Sequence, residues 1–123
     1  MNLWFLAAAI GTAALFVIHL VLGGLDDVAP FLASDLPEPH KSTLYLGWHV
    51  ASVALVTYAA LFAVAAWTPA AAMLGTVATL ASAVTGALCL AIALRRGQSV
   101  VRALPQGPAF LIVAALGSAG VAT

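Results

Sequence analysis

The chain has 123 residues, 64% of them hydrophobic and 7% charged, with a formal net charge of zero and a mean hydropathy of +1.14. Soluble domains carry about a quarter of their residues as charges, so this composition cannot cover a water-facing surface and points to lipid as the solvent. Four basic residues are too few to track a nucleic-acid backbone, and the single cysteine, Cys89, excludes an internal disulfide.

A helix crosses the hydrocarbon layer in about 20 residues, and by that ruler the sequence holds four spans in one domain, 1–123. The first is 3–22. No Lys or Arg lies in residues 1–5 and the apolar run is too long for a secretory h-region, so it reads as a retained span rather than a cleaved signal. In the segment that follows, Val28, Phe31, Leu32 and Leu36 recur at helical spacing. Asp26 or Asp27 can cap that helix, Pro30 fits its first turn and Pro37 ends it. A short helix lying in the membrane interface is expected there.

The second span is 44–67. The turn "WTPAA" leads at once into the third, 70–94, with Pro69 opening the helix. The fourth is 105–123. Continuous apolar runs, rather than alternating ones, argue against a β-barrel. The fold class is therefore an all-α membrane protein, a four-transmembrane-helix bundle with a short interfacial helix in its first loop. Small residues at four-residue spacing supply close helix contacts: Ala7 and Gly11; Gly75, Thr79, Ala83 and Ala87; Ser82 and Gly86; Ala114, Ser118 and Ala122.

Every charged side chain falls in two segments, Asp26 to Lys41 and Arg95 to Arg102. With four spans these share one side of the membrane, and the other side has no charge. Lys41, Arg95, Arg96 and Arg102 against none is a positive-inside bias. It places both termini on the periplasmic or exterior side. The acidic first loop and the arginines are expected to neutralise each other, with the arginines held at lipid phosphates, rather than to build an anion site or docking surface. Trp4, Trp67, Tyr45 and Trp48 occupy belt positions.

His19 and His49 sit inside apolar runs, about 5 Å and 8 Å from the charged side, and Cys89 lies about 9 Å in. Three potential ligands from three spans thus share one layer. Imidazole and thiolate suit a transition metal, with His19, His49 and Cys89 as the candidate set. Two facing histidines can also hold a b-type haem, with Arg95 and Arg96 placed for its propionates. Against these, a membrane histidine often hydrogen-bonds a neighbouring helix, and Ser52, Thr12 and Tyr58 are available partners. A small organic ligand, a quinone or a proton-handling role stays open as well. His40 lies in a proline-rich stretch and is read as solvated.

The segments "HLVLGG", "LYLGWHVASVAL" and "ALPQGPAFLIVAALG" resemble those of a group of small four-helix proteobacterial inner-membrane proteins. The resemblance covers most of the chain and implies the architecture. His19 and His49 match the group's histidine-bearing segments, and no activity comes with the likeness.

Three functions compete. The first is a non-enzymatic accessory or assembly subunit of a larger membrane complex, whose partners are the bilayer and other membrane subunits. The second is a haem- or metal-handling protein using His19 and His49. The third is a small oligomeric transporter or channel, against which stands the lack of any Asp, Glu, Lys or Arg within a span. No hydrolytic constellation can be assembled from the sequence.

Overall fold

The computed structural model describes residues 1–123, with side chains for all but Arg102. The described residues form helices and short connections only. These are α1 (Leu3–Ala33), α2 (Glu38–Trp67), α3 (Pro69–Arg95), the short α4 (Val100–Ala103) and α5 (Gln106–Val121). The first three are 31, 30 and 27 residues long and apolar enough to cross a membrane. α5 has 16 residues, about 24 Å of helix.

α1 packs along α2 and against α5, while α3 packs along α5 and against α2, so the four long helices close a ring. Both chain termini, the α2–α3 turn and the end of α5 meet at one end of it. All the charged residues lie toward the other. Asn2 fastens the first end: its Oδ1 accepts from the Trp4 and Phe5 amides at 3.1 Å, capping α1, while its Nδ2 donates to Gly120 O at 2.8 Å. The Asn2 amide also donates to Ala66 O at 2.8 Å, so one residue joins α1, α2 and α5.

The ring is lined by small residues. Ala8, Ala78, Thr12 and Ser82 are fully buried, and two large rings, Phe5 and Phe62, fill the remaining space. A Cβ on Gly75 or Gly120 would come within 2.5 and 2.6 Å of the Phe5 ring, and one on Gly117 would overlap Thr79 Oγ1. The glycines are therefore the sockets for Phe5 and for the α3–α5 approach. Large aliphatic side chains such as Ile10, Val53, Leu80, Val84, Leu88 and Ile112 point outward instead. That is the reverse of a water-soluble helical protein, in which such residues form the core. Of the expected small-residue stripes, Gly75, Thr79, Ser82, Gly86 and Ala114 are buried, whereas Ala87, Ser118 and Ala122 are exposed.

The span limits shift most in the first hairpin. The first helix does not stop at residue 22, and the short α segment after it, Ala29–Ala33 with Pro30 in its first turn, continues it without a break. α1 runs on to Ala33 through a ten-residue stretch of wide π-type turns, His19–Val28. Proline 30 explains why the turns are wide. It has no N–H to donate, and its ring would collide with the carbonyl four residues back in a regular helix. In the wide register the Ala29 amide bonds Gly24 O, five residues back, which opens space before the proline. Helix α2 likewise starts at Glu38 rather than 44, because Pro37 and Pro39 suit a first helical turn. The expected loop is thus an extension of two helices joined by a short bend. Within it Val28 is buried and Phe31 half-buried, whereas Leu32 and Leu36 are exposed.

Candidate functional site

The wide-turn stretch begins at His19, and α2 runs antiparallel beside it. The imidazole stacks on the Trp48 indole with centroids 3.6 Å apart and planes 19° from parallel. His19 Nε2 lies 3.2 Å from Ser52 Oγ and 3.3 Å from Trp48 O. Ser52 is one turn beyond Trp48 on α2 and donates its own hydroxyl to Trp48 O at 3.1 Å. With Ser52 donating to Trp48 O, both oxygens can accept from His19 in the tautomer that carries its hydrogen on Nε2. Gly23, about one turn along α1, provides the rest of the seat: a Cβ there would overlap the far edge of the Trp48 ring. His19, Gly23, Trp48 and Ser52 form one node across the α1–α2 seam.

Ser52 also lines a shallow apolar groove of about 270 Å³ on the outer surface, with Phe16, Val53, Val56 and Thr57. A larger open depression of about 580 Å³ lies at the terminal end, among Asn2, Trp4, Phe5, Thr76 and Gly120.

The other candidates do not join the node. His49 follows Trp48 and so points about 100° away around α2; it is exposed and meets the edge of Tyr45, with centroids 4.5 Å apart and an interplanar angle of 77°. Cys89 belongs to the α3–α5 contact, its Cβ 2.9 Å from where a Gly107 Cβ would stand. Among the described residues no three His, Cys, Asp or Glu side chains gather as a metal-holding group, so the shared depth of His19, His49 and Cys89 does not become a shared site. Arg95 and Arg96 are exposed at the end of α3. The expected neutralisation between the acidic hairpin and these arginines is also absent among the described residues. Their only ion pair is local, Lys41 Nζ to Glu38 Oε1 at 3.4 Å. His40 is exposed, as expected.

Sequence reasoning assigned Trp48 to an interfacial belt and missed its role at the seam. The available signal was His19 and Gly23 one turn apart on α1, at the depth where an antiparallel α2 presents Trp48.

Comparison with protein families, with curated proteins and with solved structures finds no match.

Proposed function

We infer that this chain is a four-span protein of a bacterial inner membrane, with both termini periplasmic, that serves as a non-enzymatic accessory or assembly subunit of a larger membrane complex. The resemblance to small proteobacterial four-helix proteins agrees with that architecture. The observation that carries the reading is the uneven packing of the α1–α2 pair. Toward the terminal end both helices contribute to the packed interior, through Phe5, Ala8, Ala9, Phe62, Ala65 and Ala66. Toward the charged end the wide-turn stretch of α1 packs on α2, and His49, Tyr45, Leu46 and Val50 are exposed on α2. An imidazole and a phenol turned toward apolar surroundings favour a neighbouring polar group, which a helix of another subunit would supply. His19 in this reading is a tie that holds α1 to α2, with its Nε2 and the Ser52 hydroxyl engaged by each other and by Trp48 O.

Purification from native membranes in a mild detergent tests the reading. The expected result is co-migration with a larger membrane complex at fixed stoichiometry, reduced by Val50→Trp or His49→Leu on the outward face. A stable monomer that leaves native membranes without companions at low detergent would overturn it.

A further inference from the structure

The stretch His19–Val28 is a long run for a π-type helix, which elsewhere occurs mostly as single turns within α-helices. Each wide turn holds one residue more than an α turn, and ten residues make about two such turns. Returning them to α register would therefore advance the distal part of α1 by two residues, which means a lengthening of about 3 Å and a rotation of about 200°. The stretch is built to hold the wide form and also to leave it. Pro30, in the α segment just beyond it, disfavours closure of an α turn onto the Asp26 carbonyl, and Trp48 lies on Gly23 and His19 in the wide form. Gly23 and Gly24 in its middle have no side chains to resist rotation, and nothing lies within 4 Å of a Cβ on Gly24.

The length change falls where a bilayer would sense it. The apolar part of α1 runs from residue 3 to residue 25, directly before Asp26 and Asp27. As uninterrupted α-helix it would measure about 34 Å, against a hydrocarbon core of about 30 Å. The wide-turn residues that fall within it, 19–25, bring it to about 32 Å. A helix too long for its bilayer must tilt, kink or thicken the membrane around it, at a cost that rises with each ångström of mismatch.

We propose that His19–Val28 is a register switch set by bilayer thickness. A thin bilayer holds the wide-turn form, with Trp48 seated on Gly23. A thick bilayer favours the α form, which lifts and turns the tip bearing Asp26 and Asp27 and withdraws Gly23 from Trp48. His19 stands at the start of the stretch and keeps its bonds to Ser52 and Trp48 O in both forms, so it is the pivot. The inference rests on the membrane-spanning reading above and is independent of any partner subunit.

The test uses the full chain in a Cys89→Ser background with spin labels at Ala33→Cys and Val53→Cys. It is reconstituted in phosphatidylcholine vesicles with 14-, 18- or 22-carbon monounsaturated acyl chains, and the label-to-label distance is measured by pulsed electron resonance. One distance is expected in the thinnest vesicles, and a second population displaced by several ångströms in the thickest. Pro30→Ala, which restores an N–H donor, is expected to populate the second distance already at 18 carbons. A single distance that holds in all three vesicles, in the parent and in Pro30→Ala, overturns the switch. Failure of the chain to float with alkali-washed vesicles overturns the membrane-spanning reading itself, and the two failures are told apart by the flotation step.

Discussion

His19 and Trp48 lie nearly parallel, 3.6 Å between ring centroids, on two antiparallel helices whose residues are 29 positions apart in sequence. The same imidazole meets Ser52 Oγ and Trp48 O through Nε2. Two contributions thus join α1 to α2 at this depth, a stack and a hydrogen bond, and substitution separates them. His19→Ala removes both and is expected to cost about 1–3 kcal/mol, from an interhelical membrane hydrogen bond of ~0.6–1.7 kcal/mol plus an aromatic pair of ~0.5–1.5 kcal/mol. His19→Gln keeps an N–H donor at similar reach and should recover about half of that loss. Unfolding midpoints in a denaturing-detergent titration read both. Equal losses for the two variants would mean that the hydrogen bond contributes nothing and the stack alone joins the helices.

Gly23 leaves no room for a side chain while Trp48 stays seated, because its Cβ would overlap the outer edge of the Trp48 ring. Gly23→Ala is expected to displace Trp48 and lower stability by about 1–3 kcal/mol, the usual cost of overpacking. In a Trp4→Phe, Trp67→Phe background the displaced indole should shift its emission. Gly47→Ala is the matched control on α2, where nothing lies within 4 Å of an added Cβ. It should gain about 0.5–1 kcal/mol from helix propensity. Similar effects from the two substitutions would contradict the seat assigned to Gly23.

The helical class and three of the long apolar helices were legible from run length, because lipid requires every backbone group to be satisfied within its own helix. The turn at Pro69 was legible too. The end of α1 was not: Asp26, Asp27 and Pro30 carry the usual signals of a new helix start, and the same residues are accommodated by widening the helix already in progress. Depth along the membrane axis groups His19, His49 and Cys89 in one layer, but depth fixes only one coordinate. The rotation of each helix decides whether side chains meet, and in runs apolar on all faces no polar stripe reveals it. His19 finds Ser52, one of the partners anticipated for it, whereas His49 is turned away by the 100° step from Trp48. The sockets for Phe5 and Phe62 were hidden for the same reason, since Gly117 and Gly120 acquire meaning only once α5 is set against α1 and α3.

The α3–α5 seam is held by the absence of side chains. Gly86 faces Leu111 and the Gly107 carbonyl, Gly107 faces Cys89, and Gly117 faces Thr79 and Phe62. Gly117→Ala meets a Thr79 hydroxyl that is itself fixed to Gly75 O at 2.8 Å and has no free direction in which to move. A loss of about 2–3 kcal/mol is expected, at the upper end for one added carbon. Gly11→Ala, whose Cβ would make ordinary contact with Val113 at 3.7 Å, should be neutral or slightly stabilising. Unfolding midpoints of the two variants check the ordering, and a reversal would show that α5 does not press on α3 as described.

Ser82 is the one buried polar side-chain atom among the described residues with no partner. It is wholly inaccessible, and its hydroxyl makes no hydrogen bond. Thr12, Thr57, Thr79, Thr85 and Ser118 each donate to the carbonyl four residues back at 2.8 Å, which is how a helix in lipid satisfies a hydroxyl. An unpaired buried hydroxyl carries a desolvation cost of about 1–3 kcal/mol, and removing it forfeits only the contacts of a single atom. Ser82→Ala is therefore expected to raise stability by about 1 kcal/mol. Thr79→Val, which keeps the side-chain shape and deletes a satisfied hydroxyl, should lower it by about 0.5–1.5 kcal/mol. Measured side by side in one denaturing-detergent titration, the two substitutions should move the midpoint in opposite directions. A loss at Ser82 equal to that at Thr79 would place its hydroxyl in a bond to the Ala78 carbonyl and remove the unpaired buried group from α3.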